Sequence, residues 1–133
     1  MGEKAKILLV DDDEDFLKST GDLLEAHGYQ VISATDGSSG LAKALKERPD
    51  LMVLDVMMAT ETEGFDVARK IPEAKELREM PVIMVTGIRK EMKLGFAFEP
   101  DETWLPVQRV MEKPIEPARF LAVIGKLLQK DPR

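Results

Sequence analysis

Cysteine is absent from the 133 residues, which excludes a disulfide framework and any thiolate metal site. No apolar run approaches the roughly 20 residues that a membrane-crossing helix needs, so no membrane partner is expected. The chain passes from Glu3-Lys4 straight into an apolar stretch without a signal-peptide pattern, and a cytoplasmic protein is the expectation. A basic patch or arginine-rich arm is also missing, and the net charge is −6; direct binding to nucleic acid is therefore not expected. Histidine occurs once. His27 stands at the expected end of a helix, where its charge suits the dipole, and it reads as structural and not as a phosphocarrier. Repeats and low-complexity tracts are lacking. After the last expected helix only Asp131-Pro132-Arg133 remain, so no second domain is expected.

What is present fits one domain, residues 1–133, with enough chain for a core. Strand and helix patterns alternate five times. Residues 5–10 make a buried strand that runs into Asp11-Asp12-Asp13. Asp13 or a neighbour caps the next helix, whose N-terminal end suits Glu14 and Asp15. Phe16, Leu17, Thr20, Leu23 and Leu24 give that helix a buried stripe, and Gly28 ends it. Residues 29–34 form a second strand. Asp36-Gly37 turns the chain, and a second helix runs to about Arg48-Pro49.

The third strand, Leu51-Met52-Val53-Leu54-Asp55, is apolar without a break until its final carboxylate. A strand apolar on both faces belongs inside a parallel sheet covered on both sides. A loop over 56–63 and a short helix from Gly64 to about Ile71 follow; the polar stretch 73–80 is open between helix and loop. Residues 81–86 give a fourth strand ending at Thr86. A fourth helix starts near Arg89 and fades by Gly95, and 96–106 is irregular. Residues 107–112 give a fifth strand ending at Lys113-Pro114. Pro117 suits the first turn of a last helix, with Leu121, Ile124 and Leu128 inward. The alternation predicts an α/β fold, a parallel sheet with helices on both faces and right-handed crossovers. Acids at the ends of the first and third strands suggest that these two are neighbours at a switch point.

In such a sheet the polar strand ends converge. Close carboxylates repel one another, and a hard divalent cation relieves that; Mg²⁺ takes oxygen ligands. Asp12 and Asp55 are the expected direct ligands, with Asp11 acting through a water and the Met57 backbone carbonyl supplying a further oxygen. Asp55 is the expected nucleophile for a phosphoryl group, since an ionised carboxylate needs no separate base. The new charge would be balanced by Mg²⁺, by Lys113 and by the Thr86 hydroxyl, and phosphoryl transfer depends mostly on such positioning and neutralisation.

The succession Ile7-Leu8-Leu9-Val10-Asp11-Asp12-Asp13, Leu54-Asp55, Val85-Thr86 and Lys113-Pro114 resembles the receiver domain of two-component response regulators, in its stand-alone form, over essentially the whole chain. The resemblance implies the flavodoxin-like strand order 2-1-3-4-5. It implies phosphorylation of Asp55 by a histidine kinase or phosphotransfer protein, dependence on Mg²⁺, slow self-dephosphorylation, and signalling through contacts with a downstream protein. A cis Lys113-Pro114 peptide also goes with it.

Three features depart from the family pattern. Met58 is followed by Ala59 and not Pro, with a longer run to Gly64. The interval between Thr86 and Lys113 is long and holds Phe96, Phe98, Trp104, Pro100 and Pro106; this stretch is either a partner site with aromatic anchors or, the favoured reading, a cover over the domain's own core or site. Val110 stands where the family commonly has an aromatic switch residue. Met57 and Ile88 border the path of the attacking water in the family; both are apolar here, so a long-lived phosphoryl group is expected. Two other classes stay open. A haloacid-dehalogenase-type phosphatase would use Asp11 and Asp13 as its Asp-x-Asp pair, but only Glu116 and Asp131 remain after Lys113 as acidic ligands and no cap insertion is present. A degenerate receiver would serve only as a binding module.

Overall fold

The computed structural model describes residues 5–55, 63–77, 79–86, 109–112 and 115–128. Within them the order is β1 (Lys6–Val10), α1 (Glu14–Ala26), β2 (Gln30–Ala34), α2 (Gly37–Glu47), β3 (Leu51–Asp55), α3 (Glu63–Lys70), β4 (Val82–Thr86), β5 (Arg109–Glu112) and α4 (Pro117–Leu128). Two 3₁₀ turns, Ile71–Glu73 and Lys75–Leu77, follow α3, so the polar stretch as far as Leu77 is neither continued α-helix nor plain loop. The expected fourth helix near Arg89, the 96–106 stretch, the loop over 56–62 and the Lys113-Pro114 peptide lie outside the described residues.

All strand pairs are parallel, in the order β2-β1-β3-β4-β5. This is the flavodoxin-like order expected above. Alternation along the strands explains how one apolar run serves two cores. Leu8, Val10, Met52, Leu54, Val82 and Met84 point to one face, with Ala44 of α2 and Val67 and Ala68 of α3. Ile7, Leu9, Leu51, Val53, Ile83 and Val85 point to the other, with Leu24 of α1 and Phe120, Val123 and Ile124 of α4. Every residue of β3 is buried, as its central place requires. The edge strand β2 carries Gln30 and Ser33 and is only partly covered.

The helix ends follow elementary capping chemistry. Asp13 is the N-cap of α1, its Oδ1 accepting from the amides of Asp15 (3.0 Å) and Phe16 (3.2 Å). Gly28, at φ 90, follows the end of α1 in the left-handed region that glycine enters without steric cost. His27 Nδ1 lies 3.0 Å from the Leu23 carbonyl, which fits its structural reading. Asp36 is an N-cap more than a turn residue: its Oδ1 accepts from the Ser39 amide at 2.7 Å. That backbone bond, then a side-chain bond from Ser39 and the Ser38 amide, hold its carboxyl below the ordinary carboxylate range.

Two helical glycines differ in what surrounds them. A Cβ on Gly21 of α1 would meet Val31 Cγ1 at 3.6 Å, an ordinary contact. A Cβ on Gly40 of α2 would meet both Val10 methyls, at 2.8 and 2.9 Å. Gly40 therefore lets α2 lie against the last residue of β1. Gly21→Ala is expected to stabilise the fold by about 0.5–1 kcal/mol through helix propensity. Gly40→Ala is expected to destabilise it by about 1 kcal/mol, since overpacking against a stiff β-branched side chain exceeds the same gain. Urea denaturation of the two variants checks the difference in sign.

Candidate functional site

The carboxyl ends of β1 and β3 place the acids. Val10 pairs with Leu54 in the last matched position of the two strands. Asp11 and Asp55 each follow directly, so both emerge at the same end of neighbouring central strands. One carboxylate oxygen from each of Asp11, Asp12 and Asp55 lies within 4.8 Å of the others. Asp11 and Asp55 are buried, at 1% and 5% exposure, whereas Asp12 is exposed. The cluster thus has two acids set into the protein and one open to solvent.

Asp11 is fixed at backbone and side chain. Its amide donates to the Ala34 carbonyl at the end of β2, 3.1 Å away. Its Oδ1 accepts from the Asp13 amide at 2.8 Å. The Asp11-Asp12-Asp13 run is thereby sorted by the backbone: the first two acids join Asp55, and the third turns to cap α1. Asp13 is absent from the cluster and engaged in the cap, which leaves it unsuited to serve as the second acid of an Asp-x-Asp pair.

The donor set fits a hard divalent ion. Carboxylate oxygens are what Mg²⁺ or Ca²⁺ takes, and soft or thiolate-loving metals find no ligand here. Two buried carboxylates beside a third carry mutual repulsion that a cation would offset. Thr86 closes β4, its backbone paired in register with Glu112, while Val85 pairs with Asp55. The end of β4 therefore lies beside the Asp55 end of β3. Met57, Ile88 and Lys113, and the side chains of Thr86 and Val110, lie outside the described residues.

The charge crowding has a measurable consequence. Like charges lie within 4.8 Å of one another, and with Asp12 exposed and screened by solvent their repulsion of it costs about 1 kcal/mol in all. Asp12→Asn is expected to raise the melting temperature in divalent-free buffer by roughly 3–5 °C. If the cluster holds Mg²⁺, the wild type is expected to melt higher on adding it, by about 2.7 kcal/mol at a hundred times Kd, and Asp12→Asn should remove most of that rise. Thermal melts with and without EDTA check both parts.

Residues 7–125 match the response regulator receiver domain family. Among curated proteins, the chain is 34% identical over 125 residues to the alkaline phosphatase synthesis transcriptional regulatory protein PhoP of Bacillus subtilis. That match covers 94% of this chain and 49% of PhoP, so the chain spans about half the length of that relative. It is 32% identical over 127 residues to the protein PilH of Pseudomonas aeruginosa, covering 93% of this chain and 98% of PilH. Among solved structures it superposes on a CheY-like response regulator receiver domain protein from Methanospirillum hungatei with a TM-score of 0.79 and 30% identity, over 96% of each chain.

Proposed function

Because the chain belongs to the response regulator receiver domain family of two-component signal transduction, we propose that it is a phosphoacceptor switch in which Asp55 takes a phosphoryl group from a histidine kinase or phosphotransfer protein. One observation carries the reading: the buried Asp55 carboxylate, at the end of the central strand, lies within 4.8 Å of Asp11 and Asp12. An oxygen of Asp55 attacks the phosphorus of a phosphohistidine or acyl phosphate. The P–N or P–O bond to the donor breaks, and an aspartyl phosphate forms.

Asp12 and Asp55 are the proposed direct ligands of Mg²⁺, with Asp11 holding an ion-bound water and the Met57 carbonyl adding an oxygen. Bound there, the ion supplies charge neutralisation for the acid cluster and the incoming phosphoryl oxygens. The proposed role of Lys113 is ionic contact with the phosphoryl group, and that of Thr86 is a hydrogen bond to it. The matched span supports one receiver domain over residues 1–133. The proposed output is altered contact with a downstream protein, and the proposed setting is the cytoplasm. Among the described residues no helix is long and apolar enough to cross a membrane. The engagement of Asp13 in the α1 cap favours this reading over a phosphatase built on Asp11 and Asp13.

Incubation with acetyl phosphate tests it. Intact mass should show one added phosphoryl group in the presence of Mg²⁺, with none in EDTA. An unchanged mass under both conditions would contradict the proposal and favour a receiver that acts only as a binding module.

A further inference from the structure

The third acid of the run, Asp13, lies outside the carboxylate cluster yet is tied to it through two sets of hydrogen bonds. Its side chain accepts from the amides of Asp15 and Phe16 and so fixes the first turn of α1. Its own carbonyl accepts from the Leu17 amide at 3.0 Å. With its carboxylate and carbonyl both engaged by the helix, the Asp13 backbone is fixed at φ −89, ψ 103. In that conformation its amide donates to Asp11 Oδ1 at 2.8 Å. Asp11 is held from the other side by the hydrogen bond that its amide donates to the Ala34 carbonyl. Asp12, the exposed member of the cluster, is therefore the single residue between two pinned neighbours. Few backbone torsions are left free between the end of β1 and the cap of α1.

Resting on the reading of the cluster as a Mg²⁺ site, we infer that Asp13 is a positioning residue for that site: its cap sets the amide that orients Asp11 and limits where Asp12 can present its carboxylate. The Asp13 side chain is not a ligand. It acts as a hydrogen-bond acceptor for the helix, and a neutral acceptor of the same reach replaces it. The effect is mechanical and not a matter of its charge. This separates it from Asp12, whose charge and ligand oxygen are both needed.

The test is the Mg²⁺ affinity of the full chain, measured by isothermal titration calorimetry on wild type, Asp13→Ala, Asp13→Asn and Asp13→Ser. Asp13→Ala loses the cap and is expected to weaken Mg²⁺ binding on the order of tenfold, the effect of removing an outer-shell support. Asp13→Asn and Asp13→Ser keep a capping oxygen and should bind within about twofold of wild type, although each removes the charge. Thermal melts in EDTA show that every variant is folded. If Asp13→Ala melts earlier but binds Mg²⁺ as the wild type does, the residue is a helix cap and nothing more, and the inference is overturned. Equal weakening in all three variants overturns it in favour of a direct charge effect. Failure of the wild type itself to bind Mg²⁺ overturns the site reading and the inference with it, and is distinguished by that control.

Discussion

Replacing Asp55 by Asn is expected to leave a cooperatively folded protein that takes up no phosphoryl group from acetyl phosphate in the presence of Mg²⁺. The side chains differ by one atom type and almost no volume, so the packing at this 5%-exposed position is retained. What is lost is the ionised oxygen that attacks phosphorus, since an amide is not a competent nucleophile for this step. The cluster also loses one of its three carboxylates, which weakens attraction for a divalent ion and relieves repulsion in the ion-free protein. Intact mass after incubation should match the unreacted control, and the melt in EDTA should remain single and cooperative. Full labelling of Asp55→Asn would place the acceptor elsewhere.

The largest expected loss of stability follows from Phe120→Ala. Phe120 is 1% exposed and is the largest fully buried side chain among the described residues. It packs from α4 onto the sheet face formed by Ile7, Leu9, Val53 and Ile83. Truncation leaves a cavity beneath a helix whose neighbours are held in strands, so collapse is limited, and a loss of about 3–5 kcal/mol is expected. Against a total of about 5–15 kcal/mol for a domain of ordinary stability, that is enough to bring unfolding close to physiological temperature. Urea denaturation gives the value directly. A loss below about 1 kcal/mol would mean that α4 does not close this core.

The two largest effects differ in how far they were legible beforehand. Asp55 is legible because the first four residues of its strand are apolar without a break, a pattern that suits a central parallel strand, and the run ends at a carboxylate. The alternation of strand and helix predicts the parallel sheet, while its order is only what the family resemblance implies; the register of β1 with β3 brings Asp11 and Asp55 together as expected. Phe120 was not singled out. Large apolar residues of the last helix occur at 120, 121, 123, 124, 127 and 128, a band wider than one stripe, and spacing alone points to Leu121, Ile124 and Leu128 as its inner line. Only the sheet beneath the helix selects Phe120, Val123 and Ile124 as the buried set, leaving Leu121 and Leu128 half-covered.

The triple Asp shows a different limit. Three identical side chains in a row carry no signal that sorts ligand from cap; the turn between β1 and α1 does that, by sending the Asp13 amide to Asp11 and the Asp13 carboxylate to the helix. Gly40 was likewise silent in the sequence, because its meaning is a distance to Val10 across two elements. Arg48 ends α2 at φ 51, in the left-handed region where glycine is usual. The following Pro49 marked the helix boundary without revealing that conformation.

The most direct measurement is the location of the phosphoryl group. The protein is incubated with Mg²⁺ and acetyl phosphate, the aspartyl phosphate is trapped by reduction, and the modified residue is identified by peptide mass spectrometry. A phosphoacceptor switch predicts modification at Asp55 alone. Modification at Asp11 would instead indicate a phosphatase of the haloacid-dehalogenase type, and no modification at all would leave the carboxylate cluster without the chemistry assigned to it.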